Sequence, residues 1–274
     1  MRRSRSLVLF ALLSSLCWAT LPAFINASVR TPLASHNAAG VALPKTAAEG
    51  GGIKEVIPEK YRERYQEWKS EFLSTDTGRS EWEAFAQGEH LTLTIIVSDS
   101  DRNGAGTSKY KWNDAGELVA ATITLGARID EGYPNPIYYP VMNSLAHSEP
   151  SLLNGNILAA AKIAHEFGHV KLATLVNGAV YRLQNQLMPV YNKILLSNGR
   201  NSRDPRLLDL TKQMGGTPVE IWEDREYWGE ANAMLYLRDR IKKKSEQRAL
   251  FSRIMRTVES YAKNYAERFD QIAR

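Results

Sequence analysis

The sequence predicts an α+β fold in which a small antiparallel sheet precedes a mostly helical C-terminal lobe. Three observations carry this expectation. β-rich runs cluster between Leu91 and Leu125, and apolar patterns of helical spacing fill nearly all of the chain from Ile157 onward. In addition, 43% hydrophobic residues in a chain of 274 are enough to bury a sizeable core.

The N-terminus is set apart from this fold. Met1-Arg2-Arg3-Ser4-Arg5-Ser6 followed by the apolar run Leu7 to Phe24 has the cationic start and hydrophobic stretch of an export signal. Residues 1–27 are assigned to it, with cleavage after Ala19, Ala23 or Ala27 favoured over retention as a membrane anchor. An exported protein, periplasmic or secreted, is therefore expected, and it meets a membrane only if the segment stays uncleaved. Cys17, the sole cysteine, lies within this segment, so the mature chain has neither disulfides nor thiolate metal ligands. Loss of Arg2, Arg3 and Arg5 lowers the formal charge from +5 to +2, which removes the argument for a nucleic-acid partner. Thr31 to Gly52, rich in Ala, Gly and Pro, reads as a flexible tether; residues 28–53 link the signal to a folded domain at 54–274.

Each element of that domain has its own signal. Tyr61, Tyr65, Trp68 and Phe72 recur at helical spacing after Pro58, and Ser80 can cap a second short helix carrying Trp82 and Phe85. Leu91 to Val97 is a strand, and a hairpin runs from Tyr110 through Asn113-Asp114-Ala115-Gly116 to Gly126, giving three strands. Tyr133 to Pro140, with three prolines and three tyrosines, reads as a surface loop. Asn154 and Asn156 can cap a helix that Asn177-Gly178 stops. Helices follow over Val180 to Leu196, Arg206 to Met214, and from the capping box Thr217-Pro218-Val219-Glu220 to about Lys244. Leu250, Ile254, Val258, Tyr261, Tyr265 and Phe269 outline a terminal amphipathic helix.

The chemistry is concentrated in His165-Glu166-Phe167-Gly168-His169. Two histidines at i and i+4 project from one helical face, so both imidazoles can bind one zinc ion at about 2.0–2.1 Å. Glu166 lies beside them, where it can act as general base on a water instead of binding the metal. The flanking residues Ile157 to Ala164 and Val170 to Leu175 are apolar and small, which indicates a buried helix. A catalytic zinc site needs a third protein ligand, and no histidine follows His169, so a carboxylate must serve. Glu226, Gly229 and Glu230 share one face of the capped helix; Glu226 is the preferred ligand and Glu230 its substitute. The other glutamate would accept a hydrogen bond from the far nitrogen of His165.

The pattern resembles the gluzincin group of zinc metallopeptidases, in which HExxH is followed on a later helix by a glutamate ligand. A small residue stands three positions beyond that ligand and an acid four positions beyond. His165, Glu166 and His169 match, as do Glu226, Gly229 and Glu230, the last standing where the family usually has aspartate. The resemblance covers about Asn156 to Leu237. It implies a zincin-like α+β architecture with the sheet packed on the HExxH helix, a Zn2+ cofactor and a peptide or protein substrate. An exported zinc-binding module without turnover is the alternative. Tyr181, Tyr191, Arg225 and Tyr227 are candidate oxyanion stabilisers. Asp99-Ser100-Asp101-Arg102-Asn103-Gly104 resembles half of a calcium loop, but its twelfth position is Tyr110, so a plain hairpin loop is expected. His36, His90 and His147 are expected to be solvent-exposed.

Overall fold

Alternation of apolar and polar residues turns Thr92 to Ser98 into a strand whose Leu93, Ile95 and Val97 face inward, and the rest of the sheet assembles around it. The computed structural model describes residues 51–100, 102–175, 178–241, 252 and 256, all within one compact unit spanning 48–274. The expected export segment, nearly all of the expected tether, Lys242 to Lys244 and the expected terminal helix through Phe269 lie outside the described residues.

In chain order the elements are β1 (Gly52–Val56), a 3-10 turn (Glu59–Tyr61), α1 (Arg62–Leu73), α2 (Asp76–Ala86), β2 (Thr92–Ser98), β3 (Ala105–Trp112) and β4 (Leu118–Gly126). Then follow α3 (Pro140–Ser148), α4 (Gly155–Leu175), α5 (Gly178–Ser197), α6 (Pro205–Met214) and α7 (Pro218–Ile241). The fold is α+β and mostly helical, as expected. The sheet, however, is mixed and four-stranded, in the order β1-β2-β4-β3, not a three-stranded antiparallel one. β1 pairs parallel with β2, and β2 parallel with β4; only β3 and β4 are antiparallel. The cause is connectivity. Helices α1 and α2 form a crossover long enough to return β2 parallel to β1, and β4 inserts between β2 and the hairpin's first strand.

The added strand begins in the last residues of the expected tether, at Gly52 and Ile53. Gly52 N–H donates to Leu91 O at 2.8 Å and Gly51 N–H to Glu89 O at 3.1 Å, so part of the Gly50-Gly51-Gly52 run serves close backbone approach to 88–91. The segment Asp99 to Gly104 is likewise not a hairpin loop, because β2 and β3 are not neighbours; exposed Asp99 pairs with Lys60 at 2.7 Å. Helix α2 starts earlier than expected: Thr75, not Ser80, is its cap, accepting from Gly78 N–H at 3.0 Å. The loop expected through Pro140 ends in helix α3, with Pro140 at its first position, where a missing N–H costs nothing. The capping box of α7 forms as read: Glu220 accepts from Thr217 N–H at 2.8 Å, and Thr217 Oγ1 accepts from Glu220 N–H at 3.3 Å.

One core joins the sheet to α1, α4 and α7. Tyr65, Trp68 and Phe72 are buried as the helical period required, together with Leu93, Ile95, Ile123 and Leu125. Phe167, the middle residue of the HExxH motif, sits within 5.2 Å of the Phe72 ring, 5.5 Å of Phe85 and 6.1 Å of Trp82, centroid to centroid. The motif is thus anchored through its own core residue. A second, smaller cluster of Tyr191, Leu207, Met214 and Ile221 binds α5 and α6 to the start of α7. Among the described residues no helix is long and apolar enough to cross a membrane.

Candidate metal centre

Helices α4 and α7 meet at two glycines. A β-carbon on Gly168 would lie 2.8 Å from Asn232 Cβ and 3.1 Å from Gly229 Cα, and one on Gly229 would lie 2.6 Å from His165 Nε2. The absence of both side chains lets the His165 ring lie flat against the α7 backbone. Asn232 fastens the seam, donating to Ala164 O at 2.6 Å and to Glu81 Oε2 at 3.1 Å and accepting from Lys171 Nζ at 2.9 Å. Lys171 also pairs with Glu81 at 2.9 Å, which satisfies both charges at the edge of the core.

The seam brings the expected residues together. His165 and Glu166 are no more than 1% exposed and His169 is 7% exposed. His165 Nε2 lies 3.0 Å from His169 Nε2, and Glu226 Oε2 lies 3.2 Å from the first and 3.8 Å from the second. A tetrahedral ion with bonds of about 2.0–2.1 Å spaces its ligand atoms about 3.3 Å apart, and these three edges bracket that value. The buried His165, Glu166 and His169 form a group positioned to bind a metal ion. Two carboxylates are therefore in reach. Those of Glu166 are engaged elsewhere: Thr107 Oγ1 donates to Oε2 at 2.7 Å, and the Tyr139 hydroxyl lies 3.4 Å from Oε1. Glu226 makes the short contacts to both rings.

Electrostatics follow this geometry. Burial pushes the Glu226 carboxyl up, but the hydrogen bond with His165 and the proximity and charge of both imidazoles outweigh it and hold it down at about 2. Burial pushes the His169 imidazole down, but the nearby Glu226 carboxylate, with the charge of Glu166, raises it overall. Glu230 is different. It is wholly buried, which pushes its carboxyl well above the usual range, and its Oε2 accepts from Met142 N–H at 3.0 Å at the start of α3. Its Oε1 and the His165 Nδ1 are both buried without a hydrogen-bond partner and stand 3.9 Å apart. A small approach of the two would satisfy both and fix which ring nitrogen of His165 faces the centre.

The opposite wall contains residues that sequence reasoning missed. β3 is a sheet edge running beside α4, and a register shift between Ser108 and Lys111 marks a bulge at which Lys109 adopts φ +54°. Beyond the bulge the Tyr110 hydroxyl accepts from Tyr181 at 2.9 Å; the rings of Tyr110, Trp112 and Tyr181 pack together, and the Arg225 guanidinium lies 3.6 Å over Tyr181. Tyr181 and Arg225, two expected candidates, thus belong to one cluster. Tyr191 belongs to the second core instead, and Tyr227 is half-buried on α7. Tyr139, just before α3, packs edge-on against the His165 ring at 4.7 Å and accepts from Ala105 N–H at 3.1 Å. Buried Lys162, one turn before the motif, donates to Ile129 O at 2.8 Å and to Asn103 O, tying this wall to α4. His90 and His147 are exposed as expected, and His36 lies outside the described residues. No family model, curated protein or solved structure matches the chain.

Proposed function

We propose that this chain is an exported zinc metallopeptidase of the gluzincin type, with His165, His169 and Glu226 as zinc ligands and Glu166 as general base. The single observation that carries the reading is the triangle of His165 Nε2, His169 Nε2 and Glu226 Oε2, with edges of 3.0, 3.2 and 3.8 Å beside a carboxylate held off it. Zinc bound there supplies Lewis acidity, polarising a carbonyl and making water acidic near neutral pH. Glu166 would accept a proton from the attacking water and deliver it to the departing amine nitrogen. Glu230 Oε1, 3.9 Å from His165 Nδ1, would hold that ring once the two close to hydrogen-bond distance. Export rests on the cationic, apolar N-terminus.

A zincin-like cleft is supported by an antiparallel edge strand beside the motif helix. Ala105 N–H points to Tyr139, away from β4, so by antiparallel alternation the backbone groups of Thr107 also face the free edge. A peptide substrate adds there as a further strand, its carbonyl directed to the centre. The test compares zinc content and cleavage of casein or a peptide by wild type and Glu166→Gln. The variant keeps its zinc and loses roughly 10²–10⁴-fold in kcat. Equal cleavage by both sinks the hydrolase mechanism, and a zinc-loaded wild type that cleaves nothing leaves the zinc-binding module.

A further inference from the structure

Two carboxylates lie within reach of the same pair of histidines, and a hydrolytic site needs them to behave differently. One must bind the ion and the other must stay off it with a lone pair free for water. Position on the helix does not make this distinction. The Glu166 carboxylate lies within 4.8 Å of the ligand nitrogens of both histidines, close enough for a side-chain rotation to bring it into the ligand set. What differs is what each carboxylate is bonded to. Glu226 has the imidazoles as its short contacts, whereas Glu166 accepts a charge-assisted hydrogen bond from Thr107 Oγ1 at 2.7 Å.

We propose that Thr107 is the positioning residue that keeps Glu166 out of the metal's ligand set and so assigns the two carboxylates their separate roles. This rests on the metal reading given above. The Thr107 hydroxyl is well placed for it. Its side chain points from the edge strand down onto α4, and its other nearby acceptor, the Glu166 main-chain oxygen at 3.3 Å, belongs to the same residue. The Tyr139 hydroxyl is a weaker second hold at 3.4 Å, because it is shared with the Ala105 N–H and lies 3.5 Å from Ala105 O. Glu166 is 1% exposed, so bulk water cannot replace a lost donor. Without the Thr107 hydroxyl, the strongest remaining partner for that oxygen is the ion. The edge residue whose backbone is placed to meet a substrate strand is therefore also the one whose side chain holds the proton carrier.

The test uses Thr107→Val, which keeps shape and β-branching but removes the donor, and Thr107→Ser, which keeps the donor. Proteins loaded with zinc or cobalt(II) are compared by metal content, by the visible cobalt spectrum and by peptide hydrolysis. Thr107→Val is expected to hold one metal, to show a cobalt spectrum altered by an added carboxylate ligand, and to lose roughly 10–100-fold in kcat with little change in KM. Thr107→Ser restores the spectrum and most of kcat. A Thr107→Val protein with wild-type spectrum overturns the assignment, and so does an altered spectrum that Thr107→Ser fails to restore. Should the valine variant fold poorly, Thr107→Ala carries the same comparison. If wild type cleaves nothing, peptidase activity falls as a reading, while the cobalt spectra still decide whether Thr107 holds Glu166 away.

Discussion

Along the α4–α7 seam, the described groups that reach the candidate metal centre come from regular helices. His165 and His169 are one turn apart, Glu226 and Glu230 are one turn apart, and Gly168 faces Gly229 where the backbones meet. Across from it, the groups that touch Glu166 come from a sheet edge and a loop. Thr107 precedes a bulge on an edge strand, and Tyr139 ends a loop at the start of α3. The seam is fixed by close packing, with little freedom to relax. The wall is fixed by a few hydrogen bonds, which one substitution can remove. The geometry of the candidate ligands and that of the proposed proton carrier are thus held by different physics.

That contrast can be broken first at the seam. Alanine in a helix interior normally stabilises over glycine by about 1 kcal/mol. Gly229→Ala reverses the sign, because its methyl meets the His165 ring at 2.6 Å. Metal affinity should fall by about 100-fold or more in a chelator competition, together with a lower Tm. Glu230→Ala removes both the acceptor facing His165 Nδ1 and the acceptor of Met142 N–H. About 10–100-fold weaker metal binding is expected, and an effect confined to Tm would show that Glu230 serves only α3.

The smallest effect lies at the link between the two regions. Burial pushes the Lys162 ammonium down to about 7 from 10.5, with the charge of Asp130 opposing. Below about pH 7 the folded and unfolded chains are both charged there, and the cost of burial is fully present. Between about pH 7 and pH 10 the unfolded chain binds more protons than the folded one, so stability rises with pH across that window. Urea unfolding should show this rise in wild type and a flatter profile in Lys162→Met.

The same contrast explains what could be read from sequence. Helical period and caps located α4 and α7, and spacing alone put Glu226 and Glu230 on the face that meets His165. Periodicity is a local property, and the seam consists of periodic elements. Strand order is not local: nothing in Leu91 to Gly126 says that β4 inserts between β2 and β3, so the sheet was expected to be antiparallel throughout. Gly50-Gly51-Gly52 has the composition of a linker, although Gly51 and Gly52 serve a backbone contact. Thr107 and Tyr139 carry no motif, since a hydroxyl acquires its role only from the carboxylate that folding brings to it. Tyr191 failed as a site candidate for a related reason: its helix turns it toward Leu207 and Met214.

Phe167 carries one more consequence. The residue between the two metal-facing turns is locked among Phe72, Phe85 and Trp82, so the donor triangle is spaced by the aromatic core. In small zinc domains the ion supplies much of the folding energy, and chelation unfolds the chain. On the proposed metal reading, the packed core would set the spacing of the donors in this chain. Divalent metals would then compete for that seat on fit and ligand chemistry.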